Sequence, residues 1–394
     1  MLHRFISTII LAFTCMVAGA QGVCTINGNI QDCSLNNGEK IKKVFLTRTN
    51  ESGQAVEVAT AKVKKGKYTF KYNIAQDEPA LLYNITGFGE GKSIEVFVEP
   101  GEVVIETESA ACPENSIATG TPANDTYAQY KAILFERAKE VADAVAILEK
   151  ERGKEWLENP EGKREVKRIE AKEGIRTESQ ILRFLIDHNA SPMTPYVVEH
   201  VLLPKLTAAY AQQIDKAIST TLHTHPYYLS LHNKVLASDM KVGNELPDIT
   251  FATMNGETAR LSDFRGKYVV LNFWASDCSK SADMIAELQH LQSIVKENLD
   301  KVVIVSIALQ SDTEAWRTAV SGNNAGGEGW LHACEALAFE SSVAKLYKIE
   351  KTPRIVLVEP EGRAVSLDMD IDEVVMRIEQ ILSGDLYYFD QVKE

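Results

Sequence analysis

The sequence predicts a multidomain α+β protein in three parts: an N-terminal β-sandwich, a helical spacer and a C-terminal α/β domain. Three observations predict it. Residues 24–108 are built from short runs of β-branched and aromatic residues separated by turn signals. From residue 124 the apolar spacing changes to a helical period. From residue 243 strand and helix patterns alternate, as βαβ construction requires. At 394 residues the chain is also too long for one ordinary core.

Residues 1–20 read as a targeting segment. Arg4 supplies a positive start, Phe5 to Val17 is apolar but short for a bilayer span, and Ala18-Gly19-Ala20 is a small-residue cleavage site. Neither Cys15 nor Cys24 follows the small-residue box of a lipoprotein. No later segment reads as a membrane span. The mature protein is therefore expected to be exported, to the periplasm or cell envelope, where disulfides persist. The formal net charge of −13 argues against nucleic acid, which needs a positive footprint, and suits a solvated surface.

The sandwich is expected over residues 24–110. Its strand runs are Cys24 to Ile30, Lys43 to Arg48, Ala55 to Val63, Tyr68 to Tyr72, Leu81 to Ile85, Ile94 to Val98 and Val103 to Glu106. Asn36-Asn37-Gly38, Lys65-Gly66 and Pro100-Gly101 punctuate them. This spacing fits a small sandwich or barrel. Residues 110–122, small and polar, read as a linker.

The spacer is expected over 124–236. Asn124 can cap a first helix that carries Tyr127, Tyr130, Ile133, Leu134, Ala138, Val141 and Val145 on one side. A charged second helix follows Pro160 and ends on Ile181, Leu182, Phe184 and Leu185. Pro195 to Val198 and Tyr210 to Ile218 give two more. In the C-terminal domain, 243–386, strands are expected at Tyr268 to Trp274, Val302 to Ala308, Arg354 to Val358 and Ala364 to Leu367. Helices are expected after Cys278, near Ser342 to Tyr347 and at Ile371 to Leu382. Glu359-Pro360-Glu361-Gly362 turns the last two strands into a hairpin.

Six cysteines become five when the leader is removed, and an odd number in an exported protein points to a free thiol. Cys24 and Cys33 bracket one strand-like run. If it is extended they lie about 30 Å apart at ~3.3 Å per residue. A disulfide needs Cα atoms within about 7 Å. Either would pair more easily with Cys112 than with the other, and each is equally compatible with an unpaired buried thiol.

Cys278 is the candidate free thiol. It follows the strand run Tyr268 to Trp274 and opens a helical pattern, in the segment Asn272-Phe273-Trp274-Ala275-Ser276-Asp277-Cys278-Ser279-Lys280-Ser281. A Cys at a helix N-terminus feels the positive end of the helix dipole, which favours thiolate. Asp277 opposes that and Lys280 supports it, so the residues alone leave the net direction open.

The C-terminal third resembles the thioredoxin superfamily, and within it the exported TlpA/ResA-like thiol–disulfide oxidoreductases. Gly243-Asn244-Glu245-Leu246-Pro247-Asp248-Ile249 is similar to the family's opening segment, Leu261 to Ser276 to its first core strand, and Lys351-Thr352-Pro353-Arg354-Ile355-Val356-Leu357-Val358 to its cis-proline strand. The front of the chain resembles, more loosely, the sandwich and spacer that precede such domains in some exported bacterial relatives, best at Ala118 to Asp125.

The resemblance implies roles. Cys278 maps to the nucleophile and Pro353 to the cis-proline, so Thr352-Pro353 is expected to be cis, with Thr352 presenting its backbone to an extended substrate. Trp274 is expected to wall the groove. The substrates implied are exported protein thiols or disulfides, and no cofactor or metal is implied. Ser281 stands where the family carries its resolving Cys. Asp277 replaces a usual aromatic residue, Lys280 a common Pro, and Ala286 the usual helix-kinking Pro.

A Ser at 281 can hydrogen-bond a thiolate but cannot release a mixed disulfide. Two functions stay open: thiol–disulfide exchange through Cys278 alone, completed by substrate or external thiols, and redox-inactive binding through the groove near Pro353. Cys334, in a strand-like setting, is the one remote thiol to weigh as a resolving partner. A peroxidatic site would need Pro and Thr where Leu271 and Ala275 stand. His223 and His225 lack the carboxylate or Cys partners of a metal site. Gly322 to Gly329 lacks the Lys-Ser/Thr of a phosphate loop.

Overall fold

In the computed structural model of the protein, described residues are 22–49, 54–75, 78–322 and 325–384. The expected leader, residues 1–20, and the tail after Gly384 lie outside them. Among the described residues no helix is long and apolar enough to cross a membrane. The chain divides into two compact units, one of residues up to Pro204 with Ala217–Tyr228, the other of Lys205–Lys216 with residues from Leu229 onward.

In the first unit the alternating runs form two four-stranded sheets. The strands are β1 (Val23–Asp32), β2 (Lys43–Thr49), β3 (Ala55–Lys62), β4 (Lys67–Asn73), β5 (Leu81–Thr86), β6 (Ile94–Val98), β7 (Gly101–Ser109) and β8 (Ile117–Thr119). One sheet has the order β4-β1-β7-β8, the other β3-β2-β5-β6. Their facing side chains, among them Ile26, Ile105, Leu46, Ile85 and Val96, make one core, so the sandwich is realised and the barrel is not. The expected linker over 110–122 contains β8, which pairs with β7. Three residues carry no readable alternation, which is why the sequence does not announce it.

The first helix, α1 (Pro122–Arg152), begins two residues before Asn124. Asn124 is therefore not its cap, as expected, but lies in its first turn. Its fully buried amide accepts from the Phe97 N–H at 2.9 Å and donates to the Phe97 carbonyl and the Thr121 hydroxyl, both at 2.8 Å. Asn124 thus ties α1 to β6. Asn124→Ala would strand the Phe97 N–H and carbonyl in a dry interior and is expected to destabilise the first unit by about 2–4 kcal/mol. Urea unfolding followed by tyrosine fluorescence and far-UV circular dichroism checks this. A loss below about 1 kcal/mol, the value of an ordinary exposed cap, would restore the capping role.

The spacer continues through α2 (Lys154–Glu158), α3 (Pro160–Asp187), α4 (Met193–Val197), α5 (Ala208–Ala217) and α6 (Pro226–Ser238). Helices are found as expected over 124–236, with α2 and α6 added, but the spacer is not one body. Polar side chains draw α5 into the C-terminal unit: Gln212 donates to Asp239 at 3.2 Å and Asp215 pairs with His232 at 2.9 Å. The His223 and His225 rings serve the first unit, one stacked on Tyr228 and the other bonded to the Ala80 carbonyl.

The C-terminal unit is built on a five-stranded sheet of order β13-β12-β11-β14-β15. Its strands are β11 (Tyr268–Trp274), β12 (Val302–Leu309), β13 (Trp330–Glu335), β14 (Arg354–Val358) and β15 (Ala364–Ser366), and a separate hairpin pairs β9 (Thr250–Ala252) with β10 (Thr258–Arg260). β11, β12 and β13 run parallel, and β14 and β15 antiparallel to their neighbours. Every residue of β12 is buried, because both faces of the sheet are covered. One face packs Leu271, Phe273, Val305 and Tyr347, the other Val270, Trp274, Ile304, Leu288 and Ile378. The helices are α7 (Ser279–Val295), α8 (Thr313–Gly322), α9 (Ser342–Leu346) and α10 (Ile371–Ser383). α7 runs unbroken through Ala286.

Candidate functional site

β11 ends at Trp274, and the chain turns once, the Cys278 N–H donating to the Ala275 carbonyl at 3.2 Å, before α7 begins. Cys278 is the N-cap residue of α7, in extended conformation. β11 and β14 pair antiparallel, with Phe273 opposite Arg354. That register carries the residues just after β11 and those just before β14 to the same edge of the sheet. The Cys278 thiol, half-buried, lies 3.6 Å from the Thr352 carbonyl oxygen, toward which it donates. The Thr352-Pro353 peptide bond is cis. Cys278, Thr352 and Pro353, named from sequence, are thus brought together.

Ser281, one turn into α7, is 1% exposed, and its hydroxyl accepts from the Ala275 N–H at 3.4 Å. It also faces the sulfur. The Cys278 thiol is held below the ordinary thiol range, first by the hydrogen bond from the Ser281 side chain, against the opposing cost of burial, then by the N–H groups of Ser281 and Lys280 and by Thr352. The direction left open between Asp277 and Lys280 is therefore decided by hydrogen bonds at a helix N-terminus.

Trp274 corrects an expectation. Its side chain is 1% exposed and packs in the core with Leu288, Ala308 and Ile355. It has no surface with which to wall a groove. The indole points into the domain because β11 alternates and Trp274 falls on the α7 side with Val270. Its Nε1–H is buried with no hydrogen-bond partner among the described residues.

Gln310 was not legible from sequence. It follows β12 and clamps the turn before Cys278: its side-chain oxygen accepts from the Ser276 N–H at 2.7 Å and its amide donates to the Ser276 hydroxyl at 2.9 Å and the Asp312 carbonyl at 2.8 Å. The only available signal was its place at the carboxyl end of a parallel strand, where sites in open α/β sheets gather. The Gln310 carbonyl accepts from the Cys334 thiol at 3.5 Å. Burial pushes Cys334 up to about 11, with the nearby Glu335 charge adding to it. Cys24, buried at the start of β1, is likewise pushed up to about 11, chiefly by burial. All five described cysteines carry free thiols.

Comparison with known proteins bears on the C-terminal domain as a whole. Residues 266–364 match a family model described as thioredoxin-like, and residues 24–127 match a domain family of unknown function, DUF4369. The chain is 36% identical over 69 residues to the thioredoxin-like protein YneN of Bacillus subtilis, covering 18% of this chain and 39% of that protein. It is 25% identical over 126 residues to the thiol-disulfide oxidoreductase ResA of Bacillus thuringiensis subsp. konkukian, covering 32% of this chain and 68% of ResA. The chain thus spans well under half the length of the first of these relatives. Among solved structures, the thioredoxin domain of a thiol-disulfide oxidoreductase from Bacteroides vulgatus aligns with a TM-score of 0.33 and 25% identity, covering 36% of this chain and 99% of that one. The family match over residues 266–364 and the helix-capping cysteine beside the cis-proline lead to one conclusion: the C-terminal domain of this chain belongs to the thioredoxin superfamily, in its TlpA/ResA-like branch.

Proposed function

We propose that this protein is an exported thiol–disulfide exchange protein that works through Cys278 alone on the thiols or disulfides of other exported proteins. One observation carries the reading: an accessible thiol at the N-terminus of α7, biased toward thiolate by Ser281 and set against the Thr352 carbonyl. The Cys278 thiolate attacks one sulfur of a substrate disulfide. That S–S bond breaks, a Cys278–substrate disulfide forms, and the other substrate sulfur leaves as a thiolate. A second thiolate, from the substrate or a small thiol, then attacks the mixed disulfide and releases Cys278. If the attacking thiolate is the substrate's own, the outcome is rearrangement with no net redox change. Export is supported by the leader pattern of residues 1–20.

The test is mass-mapped alkylation of the native protein across pH. A thiol is attacked as thiolate, so each profile rises through that thiol's pKa. Cys278 is expected to be modified first, with a midpoint below the ordinary thiol range, while Cys24 and Cys334 respond only toward about 11. Cys278 remaining unmodified until the protein unfolds would end the exchange reading and leave redox-inactive binding through the groove near Pro353.

A further inference from the structure

Next to the Cys278–Pro353 pair lies a cleft of about 470 Å³. α7 supplies one wall through Lys280, Met284 and Glu287, which share a face of the helix. The start of β14 supplies Pro353 and Ile355. The segment leading into α10 closes the far side, held to β14 by the Met369 N–H on the Ile355 carbonyl at 3.1 Å and folded back at Asp370, whose carboxylate accepts from the Asp372 N–H at 3.1 Å.

The cleft is divided by chemistry. Its floor is apolar: Met284, Ile355 and Met369, all buried, with Pro353. Its rim is acidic: Glu287, Asp368, Asp370 and Asp372, all exposed. Among the described residues lining the cleft, Lys280 is the single cation, so four carboxylates face one ammonium. An apolar floor under an anionic rim matches the side chains of Lys and Arg, which lay an aliphatic stem on apolar surface and keep the charge at its edge. An acidic or purely apolar segment would desolvate these carboxylates without compensation.

We infer that this cleft selects the substrate: a polypeptide whose exchanging cysteine is flanked by Lys or Arg, the basic side chain lying over Met284 and Met369 while the cysteine sulfur meets Cys278. The inference deepens the exchange reading and rests on it. It assigns substrate charge to residues 287 and 368–372, outside the reacting groups.

The experiment uses the full-length mature protein and three synthetic peptides, basic, neutral and acidic around one cysteine activated as a thiopyridyl mixed disulfide. Release of thiopyridone is followed spectroscopically, with the Cys278→Ala protein subtracting reaction at other thiols. At low ionic strength the basic peptide is expected to react on the order of tenfold faster than the acidic one, and the advantage should shrink in ~1 M salt. In the combined variant Glu287→Gln, Asp368→Asn, Asp372→Asn the ratio should fall below about threefold, while the rate with uncharged dithiodipyridine stays unchanged. A ratio that survives in this variant would show that the preference comes from the protein's overall negative charge, and would overturn the inference while leaving exchange intact.

Failure of Cys278 to react even with dithiodipyridine would overturn the exchange reading. The cleft is then judged by calorimetric binding of the basic peptide with Ser in place of Cys. Binding no weaker in the triple variant than in the unmodified protein, or no binding at all, would overturn the inference in that case too.

Discussion

Ser281→Cys is expected to raise insulin-type disulfide reductase turnover, measured with a dithiol recycling the protein, by about 100-fold or more. On the proposed exchange mechanism, the unmodified protein forms a mixed disulfide at Cys278 and waits for an outside thiol to release it. A sulfur at position 281 would sit on the next turn of α7, within reach of the same sulfur that Ser281 now hydrogen-bonds. Release would become intramolecular, and a well-oriented neighbour acts at an effective concentration far above that of any thiol in solution. The cost to the fold is small. The Ser281 hydroxyl holds the Ala275 N–H only at 3.4 Å, and loss of such a bond costs about 1 kcal/mol. An unmodified protein that already turns over as fast as the Ser281→Cys variant would mean that another group resolves the mixed disulfide, and Cys334 would be the first to mutate.

The second large effect concerns Trp274. Trp274→Ala is expected to destabilise the C-terminal unit by about 3–5 kcal/mol, since it removes a large side chain that is 1% exposed. Trp274→Phe should cost far less. It keeps an aromatic ring in the core and deletes an indole N–H that has no hydrogen-bond partner among the described residues. Denaturant unfolding of the two variants, with Cys278 alkylation rates measured under native conditions, separates a core role from a groove role. A wall of the groove would give the opposite pattern: stability within about 0.5 kcal/mol for both variants and weakened reaction with peptide disulfides. An indole buried behind β11 gives folded protein whose small-molecule alkylation rate at Cys278 is unchanged in Trp274→Phe.

What the sequence determined by itself was the set of features carried by local pattern. The strand runs of the front domain alternate every second residue, and nearly every expected strand is present within a residue or two of its limits, because one face of each is buried and the pattern must show it. The apolar run Tyr268 to Trp274, the cysteine four residues after it and the helical period that follows likewise identified the setting of the candidate nucleophile without coordinates. Spacing along one helix also set Ser281 one turn beyond Cys278, and the family resemblance marked that position as the one that carries a resolving thiol in relatives.

Tertiary structure decided whatever depends on which strands are neighbours. Cys278 and Thr352 meet because β11 and β14 pair with Phe273 opposite Arg354, and no run of residues encodes that register alone. Gln310 reaches Ser276 because β12 lies beside β11, although the two residues are 34 positions apart. Trp274 belongs to the core because its strand has both faces covered, so the aromatic character that suggested a groove wall served burial instead. Asn124 has the residue type of a cap, yet it lies inside α1 because a buried backbone edge at Phe97 needed a donor and an acceptor together. The acidic rim, too, exists only once the segment before α10 folds back against β14, placing carboxylates from positions 368 to 372 opposite Glu287 of α7. Local pattern reports which face of an element is buried, whereas the partner that buries it is set by packing at long range, and the chemistry of this site lies in those long-range choices.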